Sequence, residues 1–308
     1  MFYRQERVTQ YGRKFKIFKF RTMVANADKI GTQVTVSNDS RVTKVGEKLR
    51  KYRLDELPQL INIILGDMTL VGTRPESTHY VKKYTSEMYA TLLLPAGVTS
   101  EASIKYKDEA ELLDKADDVD KVYVEKVLPE KMKYNLIEIS RICQEKGIHL
   151  IIDSSDQEVM DCLPYRPFLL KPNEEELSSW FGRPESIQSV INQTGQRLVE
   201  LGAENVLLSL GEKGAILFTK DRVFRGNSRA PLVVNTACAG DTMLGAFLAG
   251  YMNRRPLDET LRKSIAAGSS TAFRKGLTDF LDVEELSKQI KIREERFERW
   301  NCNEAKNV

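Results

Sequence analysis

The apolar runs HLII at His149–Ile152, FLL at Phe168–Leu170 and VLLSL at Val206–Leu210, with a helix-periodic stretch over Ile187–Leu201, decide the fold of the second half of this 308-residue chain. Short apolar strands alternating with helices are the pattern of a mainly parallel sheet covered by helices, an α/β class fold. Leu244–Tyr251 and Leu261–Phe273 supply two more helices rich in small residues. Upstream, Val127–Gly147 reads as one helix ended by a glycine cap. The last residues, Arg293–Val308, are mostly charged or polar and read as a fraying helix or a disordered end.

The first half has a different texture. Residues 2–23, FYRQERVTQYGRKFKIFKFRTM, alternate aromatic and aliphatic residues with Lys and Arg around Tyr11-Gly12, which predicts a β-hairpin. From Arg41 to Leu65 the apolar period becomes helical, with a joint near Leu54 and Pro58 in the first turn of a second helix. Lys107–Lys126 is strongly acidic. The expected division is a small α+β domain over 1–136, an α/β domain with a mainly parallel sheet over 137–292, and a charged tail over 293–308. The join, at Leu136–Ile142, falls inside a helix and carries no Gly/Ser/Pro linker.

The formal charge of +3 hides an asymmetry. Residues 1–136 hold 24 Lys/Arg against 19 Asp/Glu, and the rest 23 against 25; within 1–53 the balance is 14 to 4. That segment suits a polyanionic ligand or an anionic membrane surface, although a solvated basic face has the same composition. No nucleic-acid partner is expected. Cys143, Cys162, Cys238 and Cys302 are widely separated and, with His79 and His149, form neither a zinc spacing nor a disulfide framework, which fits a reducing cytoplasm. No apolar run approaches the ~20 residues of a spanning helix, so the expected location is cytoplasmic, or at the cytoplasmic face of the inner membrane in peripheral contact.

Leu54-Asp55-Glu56-Leu57-Pro58 sets two carboxylates side by side at a helix start, near Arg50 and Arg53. Adjacent acids at such a place are commonly only partners of the helix dipole. Here they stand among Lys19-Phe20-Arg21-Thr22-Met23, Asp39-Ser40-Arg41-Val42-Thr43, Gly66-Asp67-Met68 and Val71-Gly72-Thr73-Arg74-Pro75. Together these motifs, over about residues 2–136, resemble the polyprenyl-phosphate phosphoglycosyl transferases, the bacterial sugar transferases. The resemblance implies a nucleotide diphospho-sugar donor, a polyprenyl phosphate acceptor and an aspartate nucleophile at Asp55. A carboxylate attacks a charged phosphate only if that charge is neutralised, so Glu56 is expected to help hold Mg2+, and Arg21, Arg41, Arg50 and Arg74 to bind phosphate oxygens. The family's amino-terminal membrane element is absent from this sequence, and Thr73 stands where many members have Pro.

Asn235-Thr236-Ala237-Cys238-Ala239-Gly240-Asp241-Thr242 runs from a strand-like segment into a helix. Free N–H groups at a helix start, beside a glycine, admit a phosphate, and Asp241 could take a proton from a sugar hydroxyl. An ordinary helix cap reads the same way. With Ser209-Leu210-Gly211-Glu212-Lys213-Gly214 and Lys171-Pro172-Asn173-Glu174-Glu175-Glu176, and with Asp153-Ser154-Ser155, the second half resembles the ribokinase-like (PfkB) carbohydrate kinases over about 137–290, nearest 1-phosphofructokinase or tagatose-6-phosphate kinase. That resemblance implies part of a ribokinase-like α/β sandwich with ATP as co-substrate. Lys171, Asn173, Ser209, Leu210, Gly211, Glu212, Lys213, Gly214, Ala239 and Gly240 would bind ATP, Asp241 would be the general base, and Glu176 would belong to a Mg2+ shell. The sugar phosphate would be one such as fructose 1-phosphate or tagatose 6-phosphate. Cys238 stands where that family usually has Gly, and the family's first half, with most sugar-binding residues, is not found. The chain therefore reads as a fusion of two truncated transferases; the alternative is a nucleotide-binding fusion protein without turnover.

Overall fold

The structure, a computed structural model, describes residues 2–27, 39–105, 109–116, 118–182, 188–228 and 234–296. The chain divides into two compact units, Met1–Ile142 and Cys143–Val308. Residues 297–308 with Cys302, and also Lys107 and Ile187, lie outside the described residues.

The first unit opens with the expected hairpin, β1 (Phe2–Val8) against β2 (Lys14–Phe20), in the register Arg7↔Phe15, Gln5↔Ile17 and Tyr3↔Lys19. Paired residues share a face. Phe15 and Ile17 on that face pack with Met68 and Ala96 into a small core. Helix α1 (Lys44–Lys51) starts at Thr43, whose hydroxyl accepts from Gly46 N at 3.0 Å. After a 3-10 turn at Leu54–Glu56 comes α2 (Gln59–Ile64). Pro58 caps α2 and lies one residue before its first turn. Buried Asn62 pins α2 to β2: its Oδ1 accepts from Phe18 N at 2.9 Å and its Nδ2 donates to Lys16 O at 3.1 Å. Two short parallel strands, β3 (Thr69–Val71) and β4 (Gly97–Thr99), complete the sheet structure described in this unit. A second core gathers Tyr80, Leu113, Tyr123, Val127, Leu128 and Met132. Helix α3 (Leu128–Lys146) begins there and ends at Gly147, whose φ of +64° is the left-handed cap conformation that glycine supplies.

The second unit is α/β. Among the described residues its sheet has six strands, of which β5 (Ile151–Ile152), β6 (Leu169–Leu170) and β7 (Asn205–Ser209) are parallel neighbours in that order. Strands β8 (Ala215–Thr219), β9 (Arg222–Gly226) and β10 (Ile292–Arg296) extend it antiparallel, so the parallel character is confined to one half. Ile292–Arg296 corrects the reading of that stretch as a fraying helix or disordered end. It pairs with β9 as an edge strand, where charged side chains are tolerated because most face water.

The apolar strand runs are explained by burial on both faces. Val206 and Leu208 pack with Leu177, Trp180, Ile191 and Leu198 from helices α4 (Glu174–Phe181) and α5 (Gln188–Leu201). Leu207, between them, points the other way, to Met243, Phe247, Leu261 and Ile265 of α6 (Ala239–Met252) and α7 (Leu257–Ala272). Helix α8 (Val283–Gln289) packs on α7 and precedes the last strand.

Candidate active sites

In the first unit Arg53 adopts a left-handed conformation (φ 56°) that turns the chain out of α1 and starts the Leu54–Glu56 turn. The turn separates its two carboxylates. Asp55, 8% exposed, lines a cavity of about 330 Å³ whose other charged walls are Arg7, Lys19, Arg21, Arg41 and Arg50. Glu56 lines a different cavity, of about 360 Å³, with Arg53, Arg74 and an apolar wall of Leu57, Leu60 and Val98. Of the four arginines expected to bind phosphate, Arg21, Arg41 and Arg50 therefore stand with Asp55, and Arg74 stands with Glu56.

Glu56 Oε1 accepts from Lys19 Nζ at 3.1 Å and from Arg74 Nη2 at 2.5 Å. Burial by itself pushes the Glu56 carboxyl up, but Arg74 and Lys19 outweigh it and hold it at about 2. Burial likewise brings the Lys19 ammonium down to about 8, against the opposing pull of Glu56 and with the help of Arg74 and Arg7. Asp55 is pushed above the usual carboxylate range, chiefly by burial and further by Glu56, while Lys19 and Arg50 pull the other way. Arg41 grips Asp39 through two nitrogens, Nε to Oδ1 at 2.9 Å and Nη2 to Oδ2 at 2.6 Å, and this bond holds Asp39 low. Arg50 Nε donates to Thr22 Oγ1 at 3.0 Å. Arg7 and Lys19 were given no role in the sequence reading. The signal for Arg7 was present: it follows Gln5 at the strand period, on the half-buried face of β1.

In the second unit, Asp153, Lys171 and Ser209 all sit at the carboxyl ends of the parallel strands, where ligands of open α/β sheets bind. Lys171, 8% exposed, donates to Asp153 Oδ1 at 3.0 Å. Its Nζ also borders the start of α6: a Cβ on Gly240 would lie 3.2 Å from it. Cys238, the N-cap of α6, is left-handed (φ 59°) and contributes no side-chain cap. Asp241 lies exposed in the first turn. The Ser209–Gly214 segment is a tight connection from β7 to β8 in which Leu210 N donates to Gly214 O at 2.9 Å. Gly214, at φ +108°, could not carry a Cβ, which would meet Gly226 O at 2.1 Å.

Among the described residues neither unit presents a ready-made metal cage. Glu176 and Asn173 form a reciprocal capping box at α4, Asn173 Oδ1 accepting from Glu176 N at 2.8 Å and Glu176 Oε2 from Asn173 N at 2.9 Å. Glu176, expected in a Mg2+ shell, and Asn173, expected to bind ATP, are thus both engaged by the helix cap. Glu56 Oε1 is shared by two cations. Among the described residues no three His, Cys, Asp or Glu side chains gather to hold a metal ion.

Two family models match the chain, over stretches that overlap at residues 70–133. The pfkB family carbohydrate kinase model matches residues 70–284. The chain belongs to the pfkB family of carbohydrate kinases. The bacterial sugar transferase model matches residues 1–133, so the pfkB chain also carries a sugar transferase region. A D-tagatose-1-phosphate kinase of Bacillus licheniformis is 40% identical over 157 residues, 51% of this chain and 52% of that protein. A UDP-N-acetylgalactosamine-undecaprenyl-phosphate N-acetylgalactosaminephosphotransferase of Aeromonas hydrophila is 41% identical over 104 residues, 32% of this chain and 24% of that protein. A crystal structure of a provisionally named phosphofructokinase from Staphylococcus aureus superposes with a TM-score of 0.50 at 28% identity, covering 53% of this chain and 54% of that one. The chain spans about half the length of the kinase relatives it matches.

The depressed Glu56 carboxyl gives a pH prediction. In the unfolded chain Glu56 titrates near its ordinary value of 4.5, and in the fold near 2. Its ion pairs therefore contribute stability above pH 4.5 that is lost as pH falls toward 2. In urea unfolding of the full chain, Glu56→Gln should show a shallower loss across that window than wild type. Equal slopes would contradict the assignment.

Proposed function

We propose that the first unit transfers a phosphosugar from a nucleotide diphospho-sugar to polyprenyl phosphate through Asp55. The observation that carries this reading is the single buried carboxylate facing five basic side chains in one cavity. A poorly hydrated carboxylate has less water to shed before attacking phosphorus, and the surrounding cations neutralise the phosphate it approaches. Asp55 Oδ attacks the sugar-bearing phosphorus, the phosphorus–oxygen bond to the nucleotide breaks, and nucleoside monophosphate leaves with that oxygen. Glu56 is the residue that would hold part of a Mg2+ shell, and the ion would supply charge neutralisation to the diphosphate. Lys19 and Arg74 fix Glu56, while Arg21, Arg41 and Arg50 face the donor phosphates. With a UDP-sugar, wild type should release a burst of about one UMP per chain without acceptor, as a covalent intermediate requires. Asp55→Asn should release none, and an unchanged burst would sink the assignment.

The same unit is proposed to contact the cytoplasmic face of an anionic membrane. Among the described residues no helix is long and apolar enough to cross one. Leu57, Leu60, Ile64 and Leu65 are between 49% and 84% exposed, next to the basic segment. Charge screened over ~8 Å at physiological salt brings the unit to the surface, and these side chains add a contribution that salt does not remove. Sedimentation with phosphatidylglycerol vesicles should fall in high salt but not vanish in wild type, and should vanish in Ile64→Glu. Failure to sediment even at low salt would refute the contact.

For the second unit we propose ATP binding, with Lys171, the Ser209–Gly214 turn and the Ala239–Gly240 helix start on the phosphates, and Asp241 as base toward a sugar-phosphate hydroxyl. The buried Lys171 beside Gly240 carries the nucleotide part of this reading. The base would accept the hydroxyl proton as that oxygen takes the γ-phosphoryl group and ADP leaves. Nucleotide binding without turnover is the second reading, and the capping-box engagement of Asn173 and Glu176 favours it. A titration with ATP beside an ADP-release assay with fructose 1-phosphate and tagatose 6-phosphate separates the two. Binding lost in Lys171→Ala is expected in both. Turnover abolished by Asp241→Asn with binding intact would establish the kinase reading, and absence of ADP release would establish the other.

A further inference from the structure

The cavity that holds Asp55 has a cation that reaches it from an unexpected side, and that cation is held by a buried relay. Arg7 projects from β1 into the cavity wall. Its Nε and Nη2 donate to Gln5 Oε1 at 3.2 and 2.8 Å, and its Nη1 donates to Pro75 O at 3.3 Å. Behind it lies Glu76, 8% exposed, with Oε2 3.9 Å from Arg7 Nη1. Glu76 Oε1 accepts from Tyr123 Oη at 2.7 Å. Tyr123 in turn accepts from Lys131 Nζ at 3.4 Å, and Lys131 is paired with Glu109 at 2.8 Å. The backbone joins the same place, because Val8 N donates to Glu76 O at 3.0 Å.

The relay is directional, because the Tyr123 hydroxyl accepts from Lys131 and donates its hydrogen bond to Glu76. Burial pushes the Tyr123 phenol far up, and the neighbouring Glu76 adds to it, so Tyr123 keeps its proton. Tyr123 also opens a π-helical turn, Tyr123–Val127, a rare local geometry that aims side chains differently from an α-helix. Oε1 of Glu76 is thereby engaged, and Oε2 is the oxygen nearest the guanidinium. The 3.9 Å separation is too long for a hydrogen bond and attracts Arg7 only as a charge.

We infer that Arg7 is a donor-phosphate ligand of the Asp55 cavity and that Glu76, oriented by Tyr123, is the positioning residue that aims it. Arg41 is gripped by Asp39, and Lys19 by Glu56, whereas Arg7 is held at its edges by a neutral amide and a carbonyl. A guanidinium held in this manner keeps its charge available for a phosphate that arrives. Glu76 lies one residue beyond Pro75 and two beyond Arg74, so one short segment supplies both the partner of Glu56 and the anchor of Arg7. The inference rests on the donor-site reading of this cavity.

The test is calorimetric titration of the full chain with UDP and, separately, with inorganic pyrophosphate, each with Mg2+. Arg7→Ala should weaken both about tenfold or more, the scale of a lost charge-assisted hydrogen bond, and Arg7→Lys should recover only part. Glu76→Gln and Tyr123→Phe should each weaken binding by a smaller factor, roughly threefold, with thermal unfolding checked for each variant. The decisive readout is coupling: Glu76→Gln should add nothing in an Arg7→Ala background. A Glu76→Gln effect that persists undiminished there would overturn the positioning role, since Glu76 would then act through the fold. If Arg50→Ala weakens UDP binding and Arg7→Ala does not, the inference fails while the donor site stands. If wild type binds neither probe, both fall together.

Discussion

The first unit depends on the pairing of Glu56 with Lys19 and Arg74. Three separated pieces of chain meet in it: the end of β2, the turn after α1 and the segment after β3. A half-buried carboxylate with two cations on one oxygen is costly to disrupt, because removing one partner leaves a charge that the surroundings solvate poorly. The pairing also fixes its neighbour. Asp55 is the residue before it in a tight turn, so the position of Glu56 sets which cavity Asp55 faces, and the same Lys19 lines that cavity. The division of labour between two adjacent acids, one clamped and charged, the other buried and lifted, follows from where the cations lie.

On the reading proposed for the second unit, the charge of a nucleotide would be met largely by backbone, at the start of α6 beside Gly240, with Lys171 buried against Asp153 at the strand ends. Parallel pairing of β5, β6 and β7 brings Asp153, Lys171 and Ser209 to one edge although more than 50 residues separate the first from the last. The antiparallel strands β8 to β10 add width to the sheet, and Gly214 makes the turn into β8 possible.

Much of this was legible in the sequence, for identifiable reasons. The hairpin showed because Phe15 and Ile17 are buried while their neighbours are not, and α3 showed its end because Gly147 adopts a conformation other residues avoid. Strand β10 did not show, since in Ile292–Arg296 only the isoleucine is apolar and an exposed edge leaves no alternation. The acids at Asp55-Glu56 were visible as a pair, but their separation into two cavities was not, because it follows from a left-handed Arg53 and from Lys19, 37 residues away along the chain. Glu176 looked like a metal ligand and serves a helix cap, a role that the Asn-x-x-Glu spacing also encodes. Arg7 was legible as a half-buried position at the strand period of β1, and the relay through Glu76 and Tyr123 is what gives it a role.

The central claim is that the carboxylate of Asp55, and no other group, receives the phosphosugar. The most direct measurement is mass mapping of the full chain after brief exposure to a UDP-sugar and Mg2+, acid quench and trypsin digestion. The account predicts the added mass of one phosphosugar on the peptide 54–82, which begins after Arg53 and ends at Lys82 because trypsin does not cut the Arg74–Pro75 bond, located at Asp55 by fragmentation. Release of UMP with that peptide unmodified, or an adduct on any other residue, would contradict it.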